Sequence, residues 1–226
     1  LSEKWGQQVV VENRTGAGGA IGVDFAAKAE PDGYTMCLIS ASNTVNSATN
    51  PKLPYDMERD MLGLSQATSL FYVLYIHPLV PVKTVRELIE YSKANPGKLN
   101  FGSSGNNTLQ HFAGELFNHL TAVKIVHIPY KGTALAMPDL ISGKVDVLFD
   151  SLPTGLPHVK EGRLRALGVT SAQRTSMAPG LPAIAEVLPG YESNTWFGVF
   201  GPAGVRPEIM GVGPIKAIPK VLERAG

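Results

Sequence analysis

Short strand-like runs alternate with helix-like runs along most of this chain of 226 residues. Runs rich in β-branched and aromatic residues predict strands. They occur at "QVVVEN", "YTMCLIS", "LFYVLYIH", "LNFGSSG", "KIVHIPY", "KVDVLFD", "LRALGVTS" and "TWFGVFGP". Segments with apolar residues at helical spacing lie between them, including "AIGVDFAAKAEPDG", "TVRELIEYSKANPG" and "TLQHFAGELFNHL". This alternation predicts an α/β protein with mostly parallel sheets and helices on both faces.

Two local features refine this prediction. Thr84 precedes the helical run "VRELIEYSKANPG" and Glu87 follows three residues later, so the pair predicts a capping box. The segment "ASNTVNSATNPKLPYD" is rich in Ser, Asn and Thr and is predicted to be a long polar loop.

The charge balance argues against nucleic acid as a partner. Twenty Lys and Arg face nineteen Asp and Glu, whereas nucleic-acid binding normally requires a basic face. No apolar run approaches the ~18 residues of a membrane span. The single cysteine, Cys37, lies in an apolar run and is expected to be buried, so no internal disulfide can form. This fits a cytosolic protein, or a bacterial secreted protein whose core needs no disulfide.

The stretch "FGSSGNNTLQHF", residues 101–112, is the main candidate for a functional site. The serine-hydrolase pattern G-x-S-x-G is nearly met around Ser104, but its last glycine is replaced by Asn106, and no acid is paired with His111. The P-loop pattern is absent, because no Lys follows these glycines. A helix entrance with unpaired N–H groups, a favourable dipole and polar side chains remains, and such an entrance binds carboxylate or phosphate. The alternative is a plain N-cap at Asn107 or Thr108.

Other motifs predict no cofactor and no metal. In "GAGGAIG" Ile21 occupies the third glycine site of the dinucleotide fingerprint, and the next strand ends without an acid. These glycines therefore predict a tight turn. The five histidines show no metal-ligand spacing: His77, His111, His119, His127 and His158. Asp150 ends the strand "KVDVLFD" at the carboxyl edge, where open α/β sheets bind ligands.

Several blocks together resemble one known family. "VVVENRTGAGGAIG", "LPYD", "VRELIEYSKANPGKLNFGSSGNNTLQHFAGELF", "HIPYKG", "DLISGKVDVLFD", "GRLRALGVTS", "PGYE" and "TWFGVFGPAG" occur in this order over about residues 1–205. They are similar to the Bordetella uptake gene (Bug) family, whose members are extracytoplasmic receptors of tripartite tricarboxylate transporters.

The resemblance implies a two-lobed type II periplasmic-binding-protein fold with the ligand between the lobes. Domain one would be residues 1–76 plus 195–226 and domain two residues 77–194, joined by strands that cross near "VLYIHP" and "SNTWFG". The family normally begins with a strand and a glycine-containing loop, and we expect both to be missing here.

We therefore expect a non-catalytic periplasmic receptor that captures a small carboxylate and delivers it to membrane transporter subunits. A monomer without cofactor or nucleic acid is expected. The resemblance places the ligand between the segments "SASNTVN" and "GSSGNNT". Because both segments are uncharged, neutral donors should hold the ligand, and Lys131 is the nearest competing cation. The alternative is a serine hydrolase that uses Ser104 and His111. The predicted ligand-binding residues are Ser42, Asn43, Ser104, Gly105, Asn107, Thr108 and Asp150.

Overall fold

The computed structural model describes residues 2–210 of the chain, so the tail predicted to be an interrupted helix lies outside the described residues. The strands within this range are β1 (Cys37–Ser40), β2 (Met61–Ile76), β3 (Asn100–Ser103), β4 (Val126–Pro129), β5 (Val147–Ser151), β6 (Arg165–Val169) and β7 (Asn194–Pro202). The helices are α1 (Ser2–Trp5), α2 (Ala20–Ala27), α3 (Ala41–Thr49), α4 (Met57–Asp60), α5 (Val85–Ala94), α6 (Leu109–Thr121), α7 (Thr133–Ile141), α8 (Leu152–Lys160) and α9 (Pro207–Met210). No helix in residues 2–210 combines the length and apolar character needed to cross a bilayer.

The α/β class is confirmed, and the sheet is mixed rather than mostly parallel. Strand β3 lies parallel to β4 and to β5, as expected for strands joined by crossover helices. Strand β2 runs antiparallel to β5, β6 and β7, and β1 runs antiparallel to β7. The difference arises because β2 and β7 run against the direction of their neighbours, a relation that the periodicity of single strands does not reveal.

Strand β2 changes its partners along its length. Residues 61–71 pair with β7, whereas residues 72–76 pair with β5 on one side and residues 73–76 pair with β6 on the other. Its last six residues are buried, which fits a strand covered on both faces. The single strand β2 therefore runs through both parts of the sheet.

Three apolar cores follow from the alternation of side chains along these strands. In β5, Val147 and Phe149 pack on the α5 and α6 side, while Leu148 packs on the opposite side with α7. A third core lies under α2 and β1 and includes Ile39 and Phe200. The neighbour of Phe149 in the chain, Asp150, accordingly extends from the Leu148 face of β5.

Two predicted elements are wrong. The run "QVVVEN" forms no strand, and Val10 and Val11 are 72% and 80% exposed. β-Branched residues favour a strand only when a partner strand and a core are present, and no described strand pairs with this run. The predicted loop after β1 begins instead with helix α3, in which Asn43 and Asn46 are buried and bind carbonyl groups of the glycine-rich turn. These tertiary contacts offset the low helix propensity of Ser, Thr and Asn.

The predicted cap of α5 is present in a modified form. The Thr84 hydroxyl accepts a hydrogen bond from the Glu87 amide at 3.1 Å. The Glu87 carboxylate accepts from the amide of Lys83, at 2.6 Å, rather than from that of Thr84. Both interactions satisfy amides that the helix itself leaves unpaired.

We predict that Gly114→Ala destabilises the protein. A β-carbon at Gly114 would lie 2.3 Å from the ring of Phe101, which is 1% exposed and unable to move aside. Overpacking costs about 1–3 kcal/mol, and the better helix propensity of Ala returns at most about 1 kcal/mol. The melting temperature should fall by about 2–4 °C per kcal/mol lost. Gly180→Ala, which meets nothing within 4 Å, is the control, and equal melting temperatures for the two variants would contradict this packing.

Candidate functional site

The segment of residues 103–108 lies where β3, β4 and β5 end. The three strands are parallel neighbours, so their carboxyl ends meet at one edge of the sheet. Helix α6 begins at this edge, with Thr108 as its N-cap. Asn107 has φ of 58° and Gly105 has φ of 129°, so the segment needs residues that tolerate positive φ. Ligands of open α/β sheets bind at this kind of edge.

Several amides of this segment already have acceptors, and each acceptor belongs to a side chain. The Gly105 amide donates to Ser103 Oγ at 3.0 Å, and the Asn107 amide donates to His111 Nδ1 at 3.3 Å. Thr108 Oγ1 accepts from the His111 amide at 3.4 Å. Within residues 2–210, the amides of Asn106, Thr108 and Gln110 have no protein acceptor. These three groups can donate to an anion.

Helix α3 meets the entrance of α6 directly. The Leu109 amide donates to the Ser42 hydroxyl oxygen at 3.0 Å, across 67 positions of sequence. Ser42 is 9% exposed, and its own hydroxyl proton is not used by this bond. The structure therefore brings Ser42 together with the 103–108 segment, as the sequence predicts.

Asn43 follows Ser42 in the chain, but its side chain bonds to Ser40 and to the glycine-rich turn rather than to the 103–108 segment. Its Oδ1 accepts from the Ser40 amide at 3.1 Å, and its Nδ2 donates to the Gly18 carbonyl at 3.5 Å. Asn46 likewise donates to the Ala17 carbonyl at 3.1 Å. Asn43 thus holds the start of α3 and the glycine-rich turn together. The sequence does not predict this role of Asn46, because a segment rich in Ser, Asn and Thr favours a loop.

Ser104 and Thr108 both use their hydroxyl groups inside the segment. Ser104 Oγ donates to Gln110 Oε1 at 2.8 Å, and Thr108 Oγ1 donates to the Gly105 carbonyl at 2.7 Å. Gln110 is 8% exposed and was not predicted, although its place in the first turn of α6 is a signal for it. These bonds fix the loop and leave the Gln110 side-chain amide group available as a donor.

Ser103, which is fully buried, contacts His127. Ser103 Oγ lies 2.6 Å from His127 Nε2 and 3.0 Å from the Gly105 carbonyl oxygen, and it also accepts the Gly105 amide. All three contacts are satisfied together only if Nε2 carries the proton and donates to Ser103, while Ser103 donates to Gly105. Because His127 donates in this arrangement, it does not act as a base toward Ser103.

The proposed hydrolase pair is not assembled. Ser104 donates to Gln110, and His111 Nδ1 accepts the Asn107 amide. The other ring nitrogen of His111 lies 3.9 Å from Glu115. Burial lowers the pKa of His111, with Glu115 opposing that effect. Neither histidine is arranged to accept a proton from Ser104.

Asp150 is a buried carboxyl group at the end of β5. It is 5% exposed, and its Oδ1 accepts from the Ser151 amide at 2.8 Å. Burial raises the pKa of Asp150, because desolvation disfavours the charged form. Gly102 of β3 lies opposite Leu148, and Asp150, two residues after Leu148 in β5, extends from the same face of the sheet as these two residues.

A second group of hydroxyls lies where β2 changes partners, and sequence reasoning missed it. Burial raises the pKa of Tyr72 to about 12, while the nearby hydroxyls of Thr195 and Ser42 act in the opposite direction. The Thr195 Oγ1 atom is buried and has no hydrogen-bond partner within residues 2–210. An unpaired buried hydroxyl is uncommon in proteins. The sequence does not single out Tyr72, because it lies in the aromatic and apolar run of β2, where it is expected to be a core residue.

Neutral groups dominate this site. Lys131 follows β4 at the same edge and is exposed. No group of three or more possible metal ligands occurs in the described part of the chain. The chemistry available at the α6 entrance is therefore hydrogen-bond donation by amides and hydroxyls to an anionic ligand.

Known proteins are similar to this chain in sequence and in fold. The family model described as "Tripartite tricarboxylate transporter family receptor" matches residues 1–216. The "UPF0065 protein in tcbD-tcbE intergenic region" of Pseudomonas sp. (strain P51) is 41% identical over 206 residues, covering 90% of this chain and 61% of that protein. BugT of Bordetella pertussis is 37% identical over 213 residues, covering 93% of this chain and 65% of BugT. The chain thus spans less than two thirds of the length of these relatives.

Solved structures agree with these matches. "Structure of a periplasmic transporter" has a TM-score of 0.88 and 38% identity, covering 93% of this chain and 71% of that one. "R. palustris Rpa4515 with adipate" has a TM-score of 0.89 and 33% identity, covering 98% of this chain and 78% of that one. MatC from Rhodopseudomonas palustris with bound malate has a TM-score of 0.86 and 27% identity, covering 99% and 75%. The fold is therefore that of the two-lobed periplasmic binding proteins. The chain belongs to the tripartite tricarboxylate transporter receptor family, as its resemblance to the Bug family implied.

We predict that Ser42→Ala destabilises the protein by about 1–3 kcal/mol, because it leaves the buried Leu109 amide without an acceptor. Chemical denaturation of the unliganded protein measures this loss. Ser47→Ala on the same helix is the matched control. Ser47 Oγ is buried and has no partner in the described residues, so its removal should change stability by less than about 0.5 kcal/mol. Equal losses in the two variants would show that Ser42 does not support the α6 entrance.

Proposed function

We propose that this chain is a periplasmic solute-binding receptor that captures a small carboxylate between two lobes and delivers it to the membrane subunits of a transporter. The observation that supports this most is the entrance of α6. There the amides of Asn106, Thr108 and Gln110 have no acceptor among the described residues, and the Leu109 amide donates to the Ser42 hydroxyl. Backbone amides at a helix N-terminus favour an anion through both hydrogen bonds and the helix dipole.

The two lobes would be residues 1–76 plus 195–226 and residues 77–194. The change of partners along β2 and the separate core beneath α2 and β1 support this division. In this arrangement α3 belongs to the first lobe and α6 to the second, so the bond between Ser42 and Leu109 would form across the cleft. Ligand binding would favour the closed arrangement, which the transporter would recognise.

A carboxylate is the ligand class that this site favours. Each hydrogen bond to a charged oxygen contributes about 1.5–3 kcal/mol, and a micromolar complex requires about 8 kcal/mol. Three or four such bonds from the amides and hydroxyls therefore account for much of a micromolar affinity. The adipate and malate bound by two neighbours are both carboxylates. Asp150 would line the cleft and accept from an amino or hydroxyl group of the ligand.

The ligand-binding residues of the proposal remain Ser42, Asn43, Ser104, Gly105, Asn107, Thr108 and Asp150, and the structure supports assigning them different roles. Ser42 and the amides of residues 106–110 would donate to the carboxylate. Asn43, Ser104 and Thr108 would act mainly by holding α3 and the loop in place, since their side chains are bound to protein groups.

We also infer a non-catalytic, monomeric protein without a nucleic-acid partner. The arrangement of Ser104, Gln110, His111 and Asn107 supports a binder over a hydrolase, because no base among residues 2–210 faces Ser104. The net charge of +1 supports the absence of a nucleic-acid partner.

We predict that carboxylates stabilise the protein against heat, because a ligand that binds only the native state raises the melting temperature. A thermal-shift panel would include malate, adipate, an aromatic carboxylate and amino acids. Titration calorimetry would then measure the best carboxylate against variants. Asn43→Ala and Thr108→Ala should weaken binding by about 10-fold to 100-fold.

The matched control for charge is Lys131→Ala, which should change the affinity by less than about threefold. Added salt should have a similarly small effect, because no exposed ion pair is screened. The proposal is wrong if no carboxylate in the panel raises the melting temperature. Recognition by neutral donors is wrong if Lys131→Ala abolishes binding while Asn43→Ala and Thr108→Ala leave it intact.

A further inference from the structure

Two histidines stack behind the 103–108 segment. The rings of His111, on α6, and His127, on β4, have centroids 4.0 Å apart and an interplanar angle of 23°. The ring of Phe101 packs against His127, with centroids 4.9 Å apart. Each histidine also bonds directly to the segment that carries the proposed carboxylate site, through Asn107 and Ser103 respectively.

The bond to Asn107 requires one particular protonation state of His111. The Asn107 amide donates to His111 Nδ1 at 3.3 Å, so this nitrogen must carry a lone pair. The proton of the neutral ring is then on Nε2, which faces Glu115 at 3.9 Å. Protonation of Nδ1 would place an N–H group against the Asn107 N–H group and break the bond.

When one of the two stacked histidines is protonated, its positive charge disfavours protonation of the other. Stacked at 4.0 Å, two imidazolium rings would repel each other in a partly desolvated environment. Among the groups that face the pair, Glu115 on α6 is the acidic one, while Phe101 and Ser103 on β3 carry no charge. Glu115 is 49% exposed, so solvent screens most of its attraction.

We propose that His111 is a positioning residue that holds the 103–108 segment through its neutral form, with His127 stacked against it, so that acidification weakens carboxylate binding. This inference rests on the proposed function, because it concerns how that same site is regulated. Acidification would release the Asn107 amide from His111, whereas the Nε2–H group of His127 would still donate to Ser103. The entrance of α6 would then lose the arrangement in which its free amides converge on the ligand.

The direction of the pKa changes agrees with this geometry. Burial, followed by the charge of His111, lowers the pKa of His127 to about 4, and burial lowers the pKa of His111. When the folded pKa lies below the unfolded value, the unfolded chain binds more protons in the interval between them. The contribution to stability is therefore fully present above about pH 6.5 and declines as the pH falls toward about 4.

The first experiment needs no ligand and no variant. The pH titration of the Asn107 amide in the nuclear magnetic resonance spectrum of the unliganded protein reports the bond directly. We expect its signal to move with the same midpoint as the ring signals of His111. An Asn107 amide that does not respond to pH while His111 titrates would overturn the proposal. This outcome is independent of whether the protein binds carboxylates.

The second experiment compares the protein with a double variant that cannot titrate at these positions. In His111→Asn the side-chain oxygen replaces Nδ1 as the acceptor, and in His127→Gln the amide nitrogen replaces Nε2 as the donor. Calorimetric titration with malate and with adipate, from about pH 7.5 to about pH 4.5, measures both proteins. Protonation of the carboxylate itself affects both proteins equally and cancels in the comparison.

Each dissociation constant is compared with that of the same protein at the upper pH. On acidification the dissociation constant of the original protein should rise relative to that of the double variant, by up to tenfold for each pH unit below the pKa of His111. Identical pH profiles would overturn the proposal. If neither malate nor adipate binds at the upper pH, the proposed function fails for these carboxylates. The titration of Asn107 still tests the positioning role in that case.

Discussion

The first turn of α6 contains amide groups that have no acceptor within the helix. The acceptors that bind these amides determine the arrangement of the site. One of them, the Leu109 amide, is satisfied by Ser42 from a distant part of the chain. The His111 amide is satisfied by Thr108, and the Asn107 amide, which precedes the helix, is satisfied by the His111 ring. The remaining amides have no protein acceptor in the described residues, and an anion can bind them without removing any existing interaction. This constraint links the packing of α3 against α6 to the recognition of a carboxylate.

The same constraint separates this site from a hydrolase. A catalytic serine needs a base that accepts its proton and a group that orients the base. Here the Ser104 hydroxyl donates to an amide oxygen, and His111 uses its unprotonated nitrogen to hold the loop. Ser103 and His127 are close at 2.6 Å, but the histidine is the donor when all contacts of Ser103 are satisfied. The two histidines therefore bind and position the loop, and neither is arranged to accept a proton from a serine.

The sequence predicted much of the fold because periodicity and capping are local properties. The strand ending in Ser103, the N-cap at Thr108 and the helix after it could all be read from adjacent residues. Helix α3 could not, because its stability depends on buried contacts of Asn43 and Asn46 with a turn more than twenty positions away. The run "QVVVEN" failed for the converse reason, since its β propensity has no partner strand among the described residues.

Within the site, the sequence located the α6 entrance and its uncharged character but not the side chains that reach it from elsewhere. Tyr72, Thr195 and His127 come from β2, β7 and β4, and only the tertiary arrangement brings them near Ser42 or the loop. A crystal structure of the protein with the best-binding carboxylate tests the central claim most directly. We expect carboxylate oxygens within about 3.2 Å of the Thr108 or Gln110 amide or of the Ser42 hydroxyl. A carboxylate bound to Lys131, with those donors unused, would contradict it.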